Sequence, residues 1–435
     1  MANFSGFSKL SRIQKVEYIV KHSDLNNSQA LQLEEYCPSE IDQKQIFSDM
    51  IENYIGNFPL PQGVVTNMLI NGEFHIVPFV TEESSVVAAA SKAAKYWAAR
   101  GGFMAKVDAT VKKGQVHFIW KGKREKILTL FPDIRKQLFL ETHEITEKMR
   151  NRGGGITEIL LVDKSHELPE YYQLDVSFDT ADAMGANFIN TCLEKLASAL
   201  KNFNELNSEN DQVEIIMSIL SNYTPDSRVS CWVECPVELL NGWNKGSTDK
   251  SFAQKFKQAV DIANLDISRA VTHNKGIFNG VDAVLLATGN DWRATAAAAH
   301  AFASRDGKYK GLTSISLADN KFRYELEMPL AIGTVGGITK IHPMVRNNLA
   351  ILKNPDAKKL MTIVAASGLA NNFAAIASLI TTGIQDGHMR MHLPNIFSQL
   401  NISSTEREAV LNYFSGRAIS HAAVEDFIRN MRSKL

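Results

Sequence analysis

Four segments of the sequence carry side chains that could stabilise a charge or transfer a proton. They are Glu83 in TEESSVVAAA, Lys275 in THNKGIFNG, Asp291 in ATGNDWRATAAAAHAFA and His388 in GIQDGHMRMH. Carboxyl, ammonium and imidazole groups are those used in general acid–base catalysis and in stabilising a developing oxyanion. These four residues are therefore the first candidates for an active site.

Each candidate also has a simpler structural explanation. Glu83 precedes an apolar helix whose first turn favours an anion, and Asp291 stands at a predicted helix N-cap. Lys275 lies in a predicted irregular, glycine-flanked loop, where lysines are usually solvated. His388 follows a glycine at the start of the terminal segment, where a surface histidine is the default. None of the four is specific when taken singly.

Several common functional motifs are absent from the sequence. Glu158 stands where a G-x-G-x-x-G motif beginning at Gly153 would need its last glycine, so a standard dinucleotide fold is not supported. P-loop, G-x-S-x-G and H-E-x-x-H motifs are missing as well. His388 and His392 are four residues apart without the acidic partner of that zinc motif, which favours separate roles over metal binding. No metal site is predicted.

Composition limits the class of protein. Lys plus Arg equals Asp plus Glu at 47 each, so no overall field favours nucleic acid or an anionic membrane surface. With 45% apolar and 22% charged residues, the 435-residue chain is ordinary in composition and long enough for two or three domains. The four cysteines show no zinc or redox spacing. Without a signal-like start or an apolar run of ~20 residues, the sequence predicts a soluble, cytoplasmic protein.

The first part of the chain, residues 1–110, is predicted to belong to a large helix-rich domain. Ser11 begins a capping box. Asn71-Gly72 predicts a hairpin between two strands. An alanine-rich helix follows, which Ser84 or Ser85 could cap.

The remaining chain divides into three predicted parts. Residues 111–220 follow a β-α-β-β-α-β order, the ferredoxin-like pattern of a small inserted domain. Residues 221–375 return to the large domain, with GTVGG (333–337) as a site of close approach. Residues 376–435 look like a hinged helical flap, which suits a lid. The fold class is therefore predicted as α+β.

Seven strings together closely resemble, in order, the signature segments of class II (bacterial-type) 3-hydroxy-3-methylglutaryl-coenzyme A (HMG-CoA) reductases. They are ENYIG, TEESSVVAAAS, DAMGAN, THNKGIFNG, ATGNDWRA, GTVGG and GIQDGHMRMH. The resemblance covers nearly the whole chain. It implies a large helical domain, a small inserted domain with a non-Rossmann nucleotide site, and a mobile C-terminal flap.

The resemblance implies two successive hydride transfers that convert HMG-CoA, through an aldehyde, to mevalonate and free coenzyme A. Lys275 would be the cation at the carbonyl oxygen. Glu83 would supply a proton in the aldehyde stage, which requires burial or a neighbouring carboxylate to keep it protonated. Asp291 would be hydrogen-bonded to both and couple their protonation. His388 would protonate the departing thiolate.

The same matching implies binding residues. Arg269 would pair with the substrate carboxylate, and Ser85 and Asn279 would hydrogen-bond the hydroxymethylglutaryl group. The DAMGAN string would border the nucleotide through Asp182, Met184, Gly185 and Asn187. Helix packing is the equally weighted alternative for Gly185. The resemblance also implies at least an isologous homodimer, with the site where two subunits meet.

Two positions depart from the family pattern. Family members that prefer NADH carry an aspartate seven residues before the glycine triplet, and here that residue is Thr146. Losing the carboxylate removes repulsion against a 2′-phosphate. Lys148 and Arg150 could pair with that phosphate, so NADPH is predicted over NADH. Ser84 replaces the proline that often follows the catalytic glutamate and should still fit a helix start.

Three alternatives stay open. A thioester reductase that stops at the aldehyde is opposed by the complete set of Glu83, Lys275, Asp291 and His388. A non-catalytic coenzyme A-binding regulatory protein is opposed by the same set, because decay should strike charged catalytic residues first. Mevalonate oxidation by the same enzyme is the third alternative, and NADPH use would favour the biosynthetic direction.

Overall fold

A computed structural model describes most of the chain. The described residues are 6–207, 212–243, 249–381, 393, 396–397, 399–415, 417 and 419–433. His388 and the whole GIQDGHMRMH string lie outside these residues.

Helices and strands alternate in a mixed α and β architecture. The helices are α1 (Arg12–His22), α2 (Asn27–Glu35), α3 (Ile41–Ser48), α4 (Val86–Ala98), α5 (Arg124–Glu141), α6 (His143–Arg150), α7 (Ala186–Asn207), α8 (Asp249–Leu265), α9 (Ile267–Ala287), α10 (Trp292–Ala303), α11 (Pro343–Ile351), α12 (Ala357–Leu379), α13 (Ser404–Tyr413) and α14 (His421–Arg432). The strands are β1 (Gln62–Ile70), β2 (Glu73–Val80), β3 (Met104–Thr110), β4 (Lys112–Lys121), β5 (Gly155–Asp163), β6 (Tyr171–Asp179), β7 (Gln212–Ser221), β8 (Ser227–Pro236), β9 (Thr313–Ser316) and β10 (Lys321–Pro329).

The strands form three sheets. Strands β1 and β2 make an antiparallel hairpin. The orders of the two four-stranded sheets are β3-β8-β10-β9 and β5-β6-β4-β7, and every pair in them is antiparallel. The hairpin turns at Asn71 and Gly72 with φ of 48° and 83°, which confirms the turn predicted from that dipeptide.

Buried apolar side chains of the described residues form three clusters. One is built on α4, α9, α12 and the β8–β10 sheet. A second lies between the β4–β7 sheet and helices α5 and α7. The third holds Leu393, Ile396 and Phe397 against α13 and α14. The three clusters share no residue, as separate hydrophobic cores do.

Helix α9 corrects the prediction of an irregular loop around Lys275. The whole THNKGIFNG string lies inside α9. Its glycines serve close packing of α9 on α12, because a Cβ at Gly280 would overlap the backbone oxygen of Ser367. Gly276 similarly faces Asn372, at 3.3 Å from the position of a Cβ. The string therefore contains glycine for helix–helix contact, although glycine in a helix interior costs backbone entropy.

Helix α12 is long and apolar enough to cross a membrane, but 89% of its most apolar window is buried inside the protein. It packs against α9, α4 and β8. A spanning helix presents its side chains to lipid, whereas this one lies within the largest hydrophobic cluster. It is therefore a core helix.

Candidate active site

Lys275 and Glu83 meet across the interface of α9 with the turn between β2 and α4. The Lys275 Nζ donates to Glu83 Oε2 at 2.5 Å. The two side chains remain 58% and 38% exposed, so the ammonium and the carboxylate are both open to a ligand. A cation beside a carboxyl group, reachable from solvent, can polarise a carbonyl oxygen and exchange a proton with it.

Helix α9 presents further polar side chains around this pair. Asn279 and Asp282 follow Lys275 by four and seven residues, so the three lie on one face of the helix. Burial, reinforced by Glu82, raises the pKa of Asp282 to about 7. Its Oδ1 is buried and has no hydrogen-bond partner among the described residues. Arg269, on the first turn of α9, lies about 120° around the helix from Lys275.

Ser85 adopts a backbone conformation that is rare for a residue with a side chain. Its φ is 80°, and its side chain does not cap α4. Ser85 occupies the N-cap position of α4, as predicted, but its side chain makes no capping hydrogen bond in this left-handed backbone conformation. Ser84 precedes it in the turn rather than at the N-cap. Such strain persists where surrounding structure holds it, and it is concentrated at functional sites.

Asp291 makes no hydrogen bond or ion pair with Lys275 or Glu83 among the described residues. It caps α10, accepting from the Ala294 amide at 2.9 Å, and its carboxylate is 3.8 Å from Arg293 Nε. The predicted N-cap is confirmed. The expected hydrogen bonds to Lys275 and Glu83 are not made within the described chain, because the capping bond fixes the carboxylate at the start of α10.

A cavity of about 400 Å³ lies between the DAMGAN segment, Asp291 and the GTVGG segment. The two segments are joined by the Thr334 amide, which donates to the Asp182 carbonyl at 2.8 Å. A Cβ at Gly333 would overlap the Met184 backbone nitrogen. This confirms GTVGG as a site of close approach. The cavity lining includes Met184, Gly185 and Asn187. The Asp182 carboxylate instead accepts from the Ala357 amide at 2.9 Å.

A larger cavity of about 650 Å³ lies between α5, α6 and β5. Its cationic lining consists of Arg135, Lys136 and Arg150, with His143 beside them. Of these residues, only Arg150 was predicted from the sequence. Lys136, His143 and Arg150 recur at intervals of seven residues, and that spacing could have indicated a shared cationic face.

Thr146 and Arg150 are linked at this cavity. Thr146 is 4% exposed, and its hydroxyl donates to the Thr142 carbonyl at 2.8 Å. Arg150 Nε donates to Thr146 Oγ1 at 3.3 Å, and its Nη2 donates to the His143 carbonyl at 2.9 Å. Thr146 therefore orients Arg150. Lys148 is exposed and lies about 160° around α6 from Thr146, so it does not line this cavity.

The family profile described as hydroxymethylglutaryl-coenzyme A reductase matches residues 12–393. This chain belongs to the HMG-CoA reductase family. The 3-hydroxy-3-methylglutaryl-coenzyme A reductase of Archaeoglobus fulgidus is 32% identical over 93% of this chain and 89% of its own length. A probable reductase of Borreliella burgdorferi is 33% identical over 94% and 93%.

Solved structures agree with this family assignment. The class II HMG-CoA reductase of Streptococcus pneumoniae bound to NADPH, in open conformations, is 35% identical with a TM-score of 0.70, covering 87% of this chain and all of its own. Another structure of a reductase from that organism is 33% identical with a TM-score of 0.71, covering 99% of this chain and all of its own. The predicted class II resemblance is confirmed.

Family membership makes the chain an oxidoreductase that acts on HMG-CoA, as the sequence predicted. The glycines that border the 400 Å³ cavity come from three separate segments, at Gly185, at Gly289 and within GTVGG, rather than from one turn. Among the described residues, no group of three or more His, Cys, Asp or Glu side chains could hold a metal ion. The predicted role of His388 concerns a residue outside the described part.

Proposed function

We propose that Lys275 and Glu83 form the catalytic pair of a two-step reduction of HMG-CoA to mevalonate. The observation that carries the proposal is the 2.5 Å contact between Lys275 Nζ and Glu83 Oε2. Lys275 stabilises the oxyanion that develops on the substrate carbonyl in each step. Glu83 supplies the proton to the aldehyde oxygen. The pair is open to solvent, so substrate can replace part of their contact.

Other residues anchor and complete the reaction in this proposal. Asn279 stands one turn after Lys275 on α9 and can hydrogen-bond the hydroxymethylglutaryl group. Ser85, held in its rare backbone conformation beside Glu83, can do the same. Arg269 binds the substrate carboxylate with its planar fork. His388 protonates the coenzyme A thiolate as it leaves.

We propose that the nucleotide is NADPH, as in the S. pneumoniae structure with that ligand. When bound, the reduced nicotinamide supplies the two hydrides. The glycine-lined cavity at Met184, Gly185 and Gly333 lets a flat ligand approach the backbone. Arg150 has a guanidinium positioned by Thr146 and suits the 2′-phosphate, with Arg135 and Lys136 nearby. Lys148 faces elsewhere and contributes less. NADPH use favours the biosynthetic direction.

We also propose that the complete site forms between two subunits related by a two-fold axis. Asp291 and the nucleotide cavity are adjacent, whereas the Lys275–Glu83 pair makes no bond to Asp291 within the described chain. A partner subunit can bring its Asp291 to Lys275 and Glu83 without disturbing the cap of α10. An isologous dimer would then contain two such sites.

We propose that the chain has the domain arrangement predicted from its sequence. The β5-β6-β4-β7 order is that of a ferredoxin-like unit, and this unit has its own hydrophobic cluster. Residues 111–220 then form the nucleotide-binding insertion, with residues 1–110 and 221–375 as the large domain. The separate cluster on α13 and α14 supports the flap predicted for residues 376–435, but its predicted start is too early, because residues 376–379 still belong to the core helix α12. A cytoplasmic location fits the burial of α12.

The test is the stoichiometry of nicotinamide oxidation with purified protein and HMG-CoA, using NADPH and NADH in parallel. Two reduced nucleotides consumed per thioester, faster with NADPH, is the expected result. One per thioester would favour the reductase that stops at the aldehyde. Lys275→Met should lower turnover by about 10²–10³-fold, whereas Lys257→Met, which removes a surface lysine paired with Asp261, should not. Folded protein without oxidation of either nucleotide would overturn the proposal.

A further inference from the structure

The proposed reduction does not use the buried ammonium group of Lys112. Lys112, at the start of β4, is only 4% exposed. Its Nζ donates to Thr180 Oγ1 at 2.5 Å and to the Ala183 carbonyl at 2.8 Å. The Thr180 hydroxyl donates to the same Ala183 oxygen at 2.6 Å. Because a buried ammonium is costly unless it is hydrogen-bonded, these contacts fix both the lysine and the turn that it holds.

The turn held by Lys112 is the one that lines the nucleotide cavity. The turn, residues 180–185, includes Ala183, Met184 and Gly185, which line that cavity. Gly185 has a φ of 89°, and a Cβ there would overlap the Thr180 side chain. The other side of the turn is held by the Thr334 amide on the Asp182 carbonyl. Lys112 is thus the side-chain support of one wall of the cavity.

We propose that Lys112 is a positioning residue for the nucleotide: it holds the 180–185 turn in its binding shape and places a positive charge beneath an anionic ligand. This inference rests on the proposed binding of NADPH in that cavity. Lys112 does not line the cavity itself. It therefore acts on the nucleotide through the shape of the turn and through the electric field of its ammonium group. Neither effect is part of the hydride or proton transfers.

The charge on Lys112 is sensitive to pH. Burial lowers its pKa to about 8, and the carboxylates of Asp179 and Asp182 oppose that shift. The side chains around it from α10, from the end of β7 and from the turn after β7 are uncharged: Ala294, Thr295, Ser221, Asn222 and Thr224. Lys112 is therefore cationic below about pH 8 and neutral above it. Its hydrogen bonds lose charge assistance as the pH rises, so nucleotide affinity should fall.

The experiment is calorimetric titration of the purified full-length protein with NADPH, from about pH 6.5 to 9.5, which spans the Lys112 titration. The wild-type dissociation constant should rise about tenfold through pH 8. Lys112→Met should bind about tenfold more weakly at neutral pH and lose that step. Lys113→Met is the matched control, because the neighbouring lysine pairs with Asp175 at 3.0 Å instead. It should behave as wild type.

A second variant keeps the proposal testable if Lys112→Met does not fold. Thr180→Val keeps the lysine charge but removes its hydroxyl partner, so binding should weaken while the step near pH 8 remains. A flat wild-type profile, or variants that bind as wild type does, would overturn the role of Lys112 and leave the proposed function standing. If wild-type protein binds no NADPH at any pH, the proposed function fails as well.

Discussion

The ammonium of Lys275 lies 2.5 Å from the carboxylate of Glu83, although 192 positions separate the two residues in the sequence. One stands in the middle of α9, and the other stands in the turn that precedes α4. Both helices pack on α12. The shared core therefore sets the distance between the two charged groups.

Glu83→Gln should separate proton donation from the hydrogen bond. The amide can still accept from Lys275, but it cannot supply the proton that aldehyde reduction needs. Reduction of the free aldehyde intermediate should fall by about 10²–10⁴-fold, measured as NADPH oxidation with the aldehyde as substrate. Glu82→Gln is the control, because the exposed Glu82 carboxylate makes no ion pair among the described residues and acts only on the pKa of Asp282, so the rate should change far less. Wild-type aldehyde reduction by the Glu83 variant would exclude this role.

Nucleotide choice should depend on Arg150 and Thr146. Arg150→Met should raise the Michaelis constant for NADPH by about tenfold, because a charge-assisted hydrogen bond to the 2′-phosphate is lost. The Michaelis constant for NADH should change little. Thr146→Asp should lower the preference for NADPH, because its carboxylate would neutralise Arg150 and repel the phosphate. The measurement is kcat/KM with each nucleotide. Lys148→Met, on another face of α6, should leave the ratio nearly unchanged. An equal loss with both nucleotides in the Arg150 variant would contradict the assignment.

Gly280→Ala should destabilise the protein through the contact of α9 with α12. The added methyl would overlap the Ser367 carbonyl, and overpacking of this kind costs about 2 kcal/mol despite the better helix propensity of alanine. Gly276→Ala is the comparison, because its methyl would meet only the end of the Asn372 side chain at 3.3 Å. Thermal unfolding should show a lower Tm for the Gly280 variant. Equal Tm values would mean that α9 and α12 accommodate the added methyl group without loss of stability.

Asp282 should make stability depend on pH. Its pKa is raised to about 7, chiefly by burial, so the folded protein favours the neutral carboxyl. That stabilisation is complete below the pKa of the unfolded chain, about 4, and is lost as the pH rises to about 7. Asp282→Asn is neutral throughout. Urea unfolding across this range should therefore show that the free energy of unfolding of the asparagine variant rises relative to that of wild type as the pH rises. A constant difference would contradict the burial of a neutral acid.

Two local predictions failed for different reasons. The glycines of THNKGIFNG predict a loop, but helix–helix contact with α12 outweighs the weak local preference of glycine. Ser85 does stand at the N-cap of α4, but with a φ of 80° its side chain makes no capping bond. In the first place a tertiary contact overrode a local pattern, whereas the second depends on the short turn between β2 and α4. The hairpin at Asn71-Gly72 and the N-cap at Asp291 were correct because each depends only on neighbouring residues.

The sequence alone determined the family, the reaction and the identity of the candidate residues, because seven unusual strings in fixed order carry that information. Local patterns also determined several helix starts and the hairpin, since capping and turns act over three or four residues. Only the tertiary structure decided that Lys275 meets Glu83, that Asp291 does not join them within one chain, and that Lys112 supports the DAMGAN turn. These relationships depend on how distant helices and strands pack, and packing distances are properties of the folded core rather than of neighbouring residues.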